Sequence, residues 1–62
     1  MNWREFEVKL RDLGWSQGEI AARLGLNRNT VSRWKQDDEV PKYASAYLEL
    51  ALLIRSAHLA IS

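Results

Sequence analysis

Apolar residues fall at Trp3, Phe6, Leu10 and Leu13, steps of three and four that place them on one face of a helix. Asn2 stands in the N-cap position, and Gly14 supplies the left-handed residue that ends such a helix, with Trp15 placed to fold back on Leu10. The pattern restarts at once. Ser16-Gln17-Gly18-Glu19 reads as a capping box, in which the serine oxygen and the glutamate carboxylate satisfy orphan amides reciprocally, flanked by Trp15 and Ile20 as a hydrophobic staple. A second helix of about two turns, 17–24, then buries Ile20, Ala21 and Leu24 and stops at Gly25. Asn27 is the next cap and Leu26 with Val31 the next staple, so a third helix runs over about 28–36. Asp37-Asp38-Glu39-Val40-Pro41 interrupts it, because a helix does not run smoothly into proline, whereas proline suits the first turn of a new one. Asp38 or Glu39 there complements the positive end of a fourth helix, which extends to about Ala60. No alternating β-branched run appears, so no strand is predicted. The expected fold is all-α, a compact bundle of four or five short helices forming a single domain over 1–62.

Only Gly25, Leu26 and Asn27 separate the second helix from the third. Two short helices joined by a three-residue turn that begins with glycine form a helix-turn-helix unit, here about 17–36. Its residues, Gln17-Gly18-Glu19-Ile20-Ala21-Ala22-Arg23-Leu24-Gly25-Leu26-Asn27 followed by Arg28-Asn29-Thr30-Val31-Ser32-Arg33-Trp34, carry a pattern that resembles the helix-turn-helix of phage repressor and Cro-like (Xre-type) regulators. Alanine stands where the two helices touch, glycine in the turn, and Leu26, Val31 and Trp34 inward. A side chain larger than Ala21 would push the helices apart, and a Cβ at position 25 would oppose the left-handed turn. The resemblance implies a lambda-repressor-like bundle, Cro-sized and without the separate carboxyl-terminal domain of larger relatives. After Trp34 the chain departs from the family's common form, with Lys35-Gln36-Asp37-Asp38 in place of an acidic residue and a glycine. Transposase and small-terminase DNA-binding domains share the Thr-Val-Ser-Arg-Trp type of third helix.

Charge changes the picture only through its placement. Nine Lys and Arg against eight Asp and Glu leave a formal net charge of +1, yet Arg23, Arg28, Arg33 and Lys35 lie in the thirteen positions 23–35 without one acid among them. In the helix-turn-helix geometry the second helix of the unit enters the major groove with its first residues toward base edges. Val31 and Trp34 point inward, which leaves Arg28, Asn29, Ser32, Arg33 and Gln36 outward. The resemblance assigns base contacts to Arg28, Asn29 and Arg33, with Ser32 close by; arginine pairs bidentately with guanine and asparagine with adenine. It also assigns Gln17, at the start of the second helix, to a backbone phosphate. Asn27, Thr30, Lys35 and Gln36 are further phosphate candidates, and Asp37 to Glu39 are expected to face away from DNA. Trp3, Trp15 and Trp34 occupy inward or staple positions, which predicts core packing rather than stacking on bases.

Several classes are excluded. With no cysteine and one histidine, neither a disulfide nor a Cys/His zinc cluster can form, and no cofactor is expected. No nucleophile has a plausible base and orienter, so neither an enzyme nor a small-molecule substrate is expected. His58 is expected at the surface or in an interface. The most apolar stretch, Leu50 to Ile54, is too short for a membrane span and is flanked by Glu49, Arg55, Ser56 and His58. The polar start Met1-Asn2-Trp3-Arg4-Glu5 lacks the apolar run of a signal peptide, which makes the cytoplasm the expected location.

A chain of 62 residues buries only roughly 60 % of the surface its unfolded form exposes, which leaves it marginal alone. The fourth helix nevertheless has apolar residues to spare. Lys42, Ser45, Glu49 and Ser56 mark one narrow polar stripe, while Tyr43, Tyr47, Leu48, Leu50, Leu53, Ile54, Ala57 and Ile61 cover most of the rest. A helix resting on three others needs one buried stripe. The excess predicts a homodimer through Tyr47, Leu50, Leu53, Ile54, Ala57 and Ile61, on a helix of about 42–60, with two recognition helices about 34 Å apart on a palindromic operator. The alternative is a bend near Ser56 that folds the tail over its own core. The reading overall is a sequence-specific regulator of double-stranded DNA, a Cro-like repressor. The alternatives are the DNA-binding module of a transposase or phage packaging complex, and a protein-docking module using the apolar last helix.

Overall fold

Four helices follow one another in the computed structural model, which describes the backbone of residues 1–61 and the side chains of residues 1–57. They are α1 (Trp3–Leu13), α2 (Gln17–Leu24), α3 (Arg28–Asp37) and α4 (Lys42–Ile61), with no strand among the described residues. The fold is therefore the all-α bundle expected, with four helices among the described residues.

Each of the first three helices starts on its predicted cap. The Asn2 carboxamide oxygen accepts from the Glu5 N–H at 2.8 Å, the Ser16 hydroxyl from the Glu19 N–H at 3.1 Å, and the Asn27 carboxamide oxygen from the Asn29 N–H at 2.9 Å. Gly14 and Gly25 end α1 and α2 in the left-handed region, at φ 73° and 71°. Their turns close through Trp15 N–H to Leu10 O at 2.9 Å and Leu26 N–H to Ala21 O at 2.8 Å, the six-residue return of a Schellman end. The capping box at Ser16 is only half made. The Glu19 carboxylate does not return to Ser16 but reaches forward one turn to Arg23 at 3.2 Å, where it gains a charged partner.

The segment after α3 departs from expectation. The helix runs one residue further than predicted, to Asp37, and Asp38 takes the left-handed conformation at φ 51°, which asparagine and aspartate tolerate better than most residues. Asp38 serves α1 rather than the dipole of α4. Its carboxylate accepts from the Trp3 N–H at 3.1 Å, and the Val40 N–H donates to Met1 O at 2.9 Å. The chain thus lies as a strap across the start of α1. Pro41 immediately precedes α4, its carbonyl accepting from the Ala44 and Ser45 N–H groups, both at 3.1 Å.

Burial follows the predicted faces closely. Trp3, Phe6 and Leu10 of α1 meet Ile20 and Ala21 of α2, Val31 and Trp34 of α3, and Val40, Ala44 and Leu48 from the last segment. The rings of Phe6 and Trp34 stand edge-to-face with centroids 6.0 Å apart, as do those of Trp34 and Tyr43 at 6.2 Å, the geometry favoured by ring quadrupoles. No polar or charged residue is buried among the described residues. Leu24, predicted to be buried, is only half-buried, and so is Trp15. α2 packs on α3 and α1 on α4. The second pair runs parallel, because Met1 meets Val40, Lys9 pairs with Glu49 at 3.2 Å, and the Arg55 guanidinium bonds to Asp12 O.

α4 continues unbroken to Ile61, so the bend near Ser56 does not occur; no glycine or proline interrupts this stretch. The helix has two unlike apolar faces. Ala44 and Leu48 are buried, with Ala51 and Leu52 half-buried beside them, whereas Leu50, Leu53, Ile54 and Ala57 are exposed. Tyr47 parts from the dimer set read from sequence, since it is half-buried with its ring 6.2 Å from that of Trp15 in the same chain. The side chains of Ile61 and His58 lie outside the described residues.

Candidate nucleic-acid interface

The orientation of α3 follows from two small features and two large ones. Gly25 reverses the chain without a Cβ in a left-handed turn, and Ala21, 2 % exposed, lets α2 approach α3 closely. Val31 and Trp34 then pin the inner edge of α3 in the core. At 100° per residue, that fixes the stripe Asn29, Arg33 and Gln36 on the opposite side, with Arg28 and Lys35 on its flanks. All five are exposed.

The remaining predicted residues sit closer in. Gln17 is the first residue of α2 and is half-buried, as are Thr30 and Ser32. Asn27 is exposed, but its carboxamide oxygen is committed to capping α3, which leaves its N–H₂ group to donate outward. Asn27, Asn29, Thr30 and Arg33 together line one open depression. The structure thus brings two predicted base-reading residues, Asn29 and Arg33, beside two predicted phosphate ligands.

The basic run does not act as a unit. Arg23 is held within its own chain, 3.2 Å from Glu19 and stacked 4.0 Å over the Trp15 ring. Its pKa is raised from the ordinary value chiefly by the Tyr47 hydroxyl and then by Glu19, against the opposing pull of desolvation. Arg28, Arg33 and Lys35 form no ion pair among the described residues. Half of the cations without an ion pair among the described residues, Arg28, Arg33 and Lys35, therefore lie on α3, while Glu7, Glu19 and Glu49 pair with cations on α1 and α2.

In the sequence Arg23 belongs to the acid-free stretch 23–35; in the structure it forms a column with Trp15 and Tyr47 that joins α2 to α4. The spacing of Glu19 and Arg23, four residues on a helix, was a visible signal. The meeting of Trp15 with Tyr47 had none, because it depends on how α4 crosses the end of α1.

A helix of ten residues, about 15 Å long, that projects unpaired arginines and a carboxamide fits a groove about 12 Å wide whose floor presents guanine and adenine acceptors. Together with the glycine turn and the α2–α3 packing, this defines a DNA-binding helix-turn-helix domain. The chain belongs to the homeodomain-like domain family, whose model matches residues 8–38, half its length. The match runs from the middle of α1 to the C-cap of α3, and it is not specific to the repressor and Cro-like group. No curated protein and no solved structure matched the chain. Among the described residues, no helix is long and apolar enough to cross a membrane.

Proposed function

We propose that the chain is a sequence-specific regulator of transcription that binds duplex DNA as a homodimer and represses by occluding its operator. Its resemblance to phage repressor and Cro-like regulators, most of all along α2 and α3, supports this reading. The observation that carries it is the exposed, unpaired set on α3, Arg33 on the outer stripe and Arg28 and Lys35 on its flanks. Arg28 and Arg33 read guanine, Asn29 reads adenine, and Ser32 contacts a neighbouring base edge. Gln17 at the start of α2 takes one phosphate, with Asn27, Thr30, Lys35 and Gln36 taking others. Occlusion requires no catalysis, no cofactor and no small-molecule substrate, and it places the protein in the cytoplasm with the DNA.

Selection of bound duplexes from a random pool tests this reading, with Arg33→Ala run in parallel. An enriched inverted repeat whose guanine preference relaxes in the variant supports it, and a pool with no enriched sequence overturns it. The homodimer is carried by the exposed apolar side of α4, considered below. Membership of the homeodomain-like family favours a second reading equally, the DNA-binding module of a transposase or packaging complex. That reading shares the groove chemistry and differs in site architecture, a single or direct site replacing the inverted repeat.

A further inference from the structure

Four of the five large hydrophobic side chains exposed among the described residues lie on α4: Tyr43, Leu50, Leu53 and Ile54. With Ala46 and Ala57, also exposed, they recur at the three- and four-residue steps of a packing seam. This seam lies opposite Leu48 and Arg55, which face the chain's own α1. It carries no charge; at its rim Glu49 is paired with Lys9, while Lys42 is exposed and forms no ion pair among the described residues. A second copy presents the same neutral surface, so pairing sets apolar seam against apolar seam. The accessible surface, 4489 Å², is about a tenth above the roughly 4,100 Å² expected for a compact chain of this mass. A standard interface covers about 800 Å² per partner, so one such contact would more than remove the excess.

The geometry points to an antiparallel α4–α4 pair whose two-fold axis passes between Leu53 and Ile54. In that register Leu50 meets Ala57 of the second copy and Leu53 meets Ile54, so large faces small and the layers interdigitate. A parallel pair instead sets Leu50 on Leu50 and Ala57 on Ala57, which overfills one layer and leaves the other empty. Antiparallel pairing also spaces the recognition helices. Trp34 of α3 packs on Tyr43 near the start of α4, a little over ten residues from the axis, or about 16 Å at 1.5 Å per residue. The two Tyr43 positions are then about 30 Å apart along the helices, close to the 34 Å or so of one DNA turn. A parallel pair leaves them side by side at an interaxial 8–10 Å or so. The spacing rests on the reading of α3 as the recognition helix, whereas the pairing does not.

The absence of cysteine permits a direct test without DNA. Leu50→Cys and Ala57→Cys are prepared separately, mixed and oxidised, with helicity checked by circular dichroism. Both positions are exposed, so the fold should survive. The expected products are a cross-linked heterodimer from the mixture, none from either variant alone, and a wild-type mass in light scattering of twice the 7.2 kDa chain. Self-cross-linking of each variant alone establishes the parallel pair and overturns the proposal. A monomeric wild type also overturns it, giving the face to some other partner. If the heterodimer forms and the selection yields no DNA motif, the pairing stands and the proposed function falls.

Discussion

The Trp3 backbone N–H donates to the Asp38 carboxylate at 3.1 Å, across 35 positions of sequence. One side chain thus closes the N-terminus of α1 while its own backbone, at φ 51°, ends α3. Two helix termini with orphan groups are satisfied at a single residue. Asp38→Asn keeps the oxygen and tolerates the left-handed backbone, so little loss is expected. Asp38→Ala loses both, and about 1–2 kcal/mol of stability should go with them. Urea denaturation midpoints of the two variants decide the matter, and equal midpoints would remove the strap from the account.

Arg33 and Lys35 are both exposed on α3 and should fail differently. Arg33→Ala should lose about 1–3 kcal/mol against the preferred site and little against a site already lacking that guanine. Lys35→Ala should weaken all duplexes alike and lower the slope of log affinity against log salt by about one. Fluorescence anisotropy titrations at several salt concentrations separate the two.

The two glycines of the helix-turn-helix are not equivalent. Gly25 sits at φ 71°, and a Cβ there would meet nothing within 4 Å, so Gly25→Ala suffers only the left-handed penalty, about 1–2 kcal/mol. Gly18 lies inside α2, where a Cβ would make ordinary contact with the Ser16 hydroxyl at 3.8 Å. Gly18→Ala should stabilise the chain by about 0.5 kcal/mol through helix propensity. Thermal melts of the pair should move in opposite directions.

The faces of α4 should respond in opposite ways. Leu48, fully buried, should lose about 2–5 kcal/mol on truncation to alanine, enough to unfold a domain of this size. Leu53, 65 % exposed, is covered only in the dimer proposed above. Wild-type melting temperature should therefore rise with protein concentration, and Leu53→Ala should flatten that rise while leaving the dilute-limit temperature near the wild-type value. Calorimetry over a hundredfold concentration range reads both.

The sequence by itself determined the helices, because their signals are local. Apolar residues three and four apart, a cap oxygen two or three residues from the amide it satisfies, and a glycine at each turn act within a few positions. Nearly every start, stop and inward face of α1 to α3 was legible for that reason, as was the outward face of α3. Tertiary structure decided what depends on distant parts meeting. It turned Asp38 from α4 to α1 and took Arg23 out of the cationic run by stacking it on Trp15 against Tyr47. It also withdrew Tyr47 from the outer side of α4, leaving Leu50, Leu53, Ile54 and Ala57 uncovered. The placing of Asp38 and Tyr47 and the uncovered side of α4 go with α1 and α4 packing in parallel, a relation between segments some forty residues apart that no local pattern encodes.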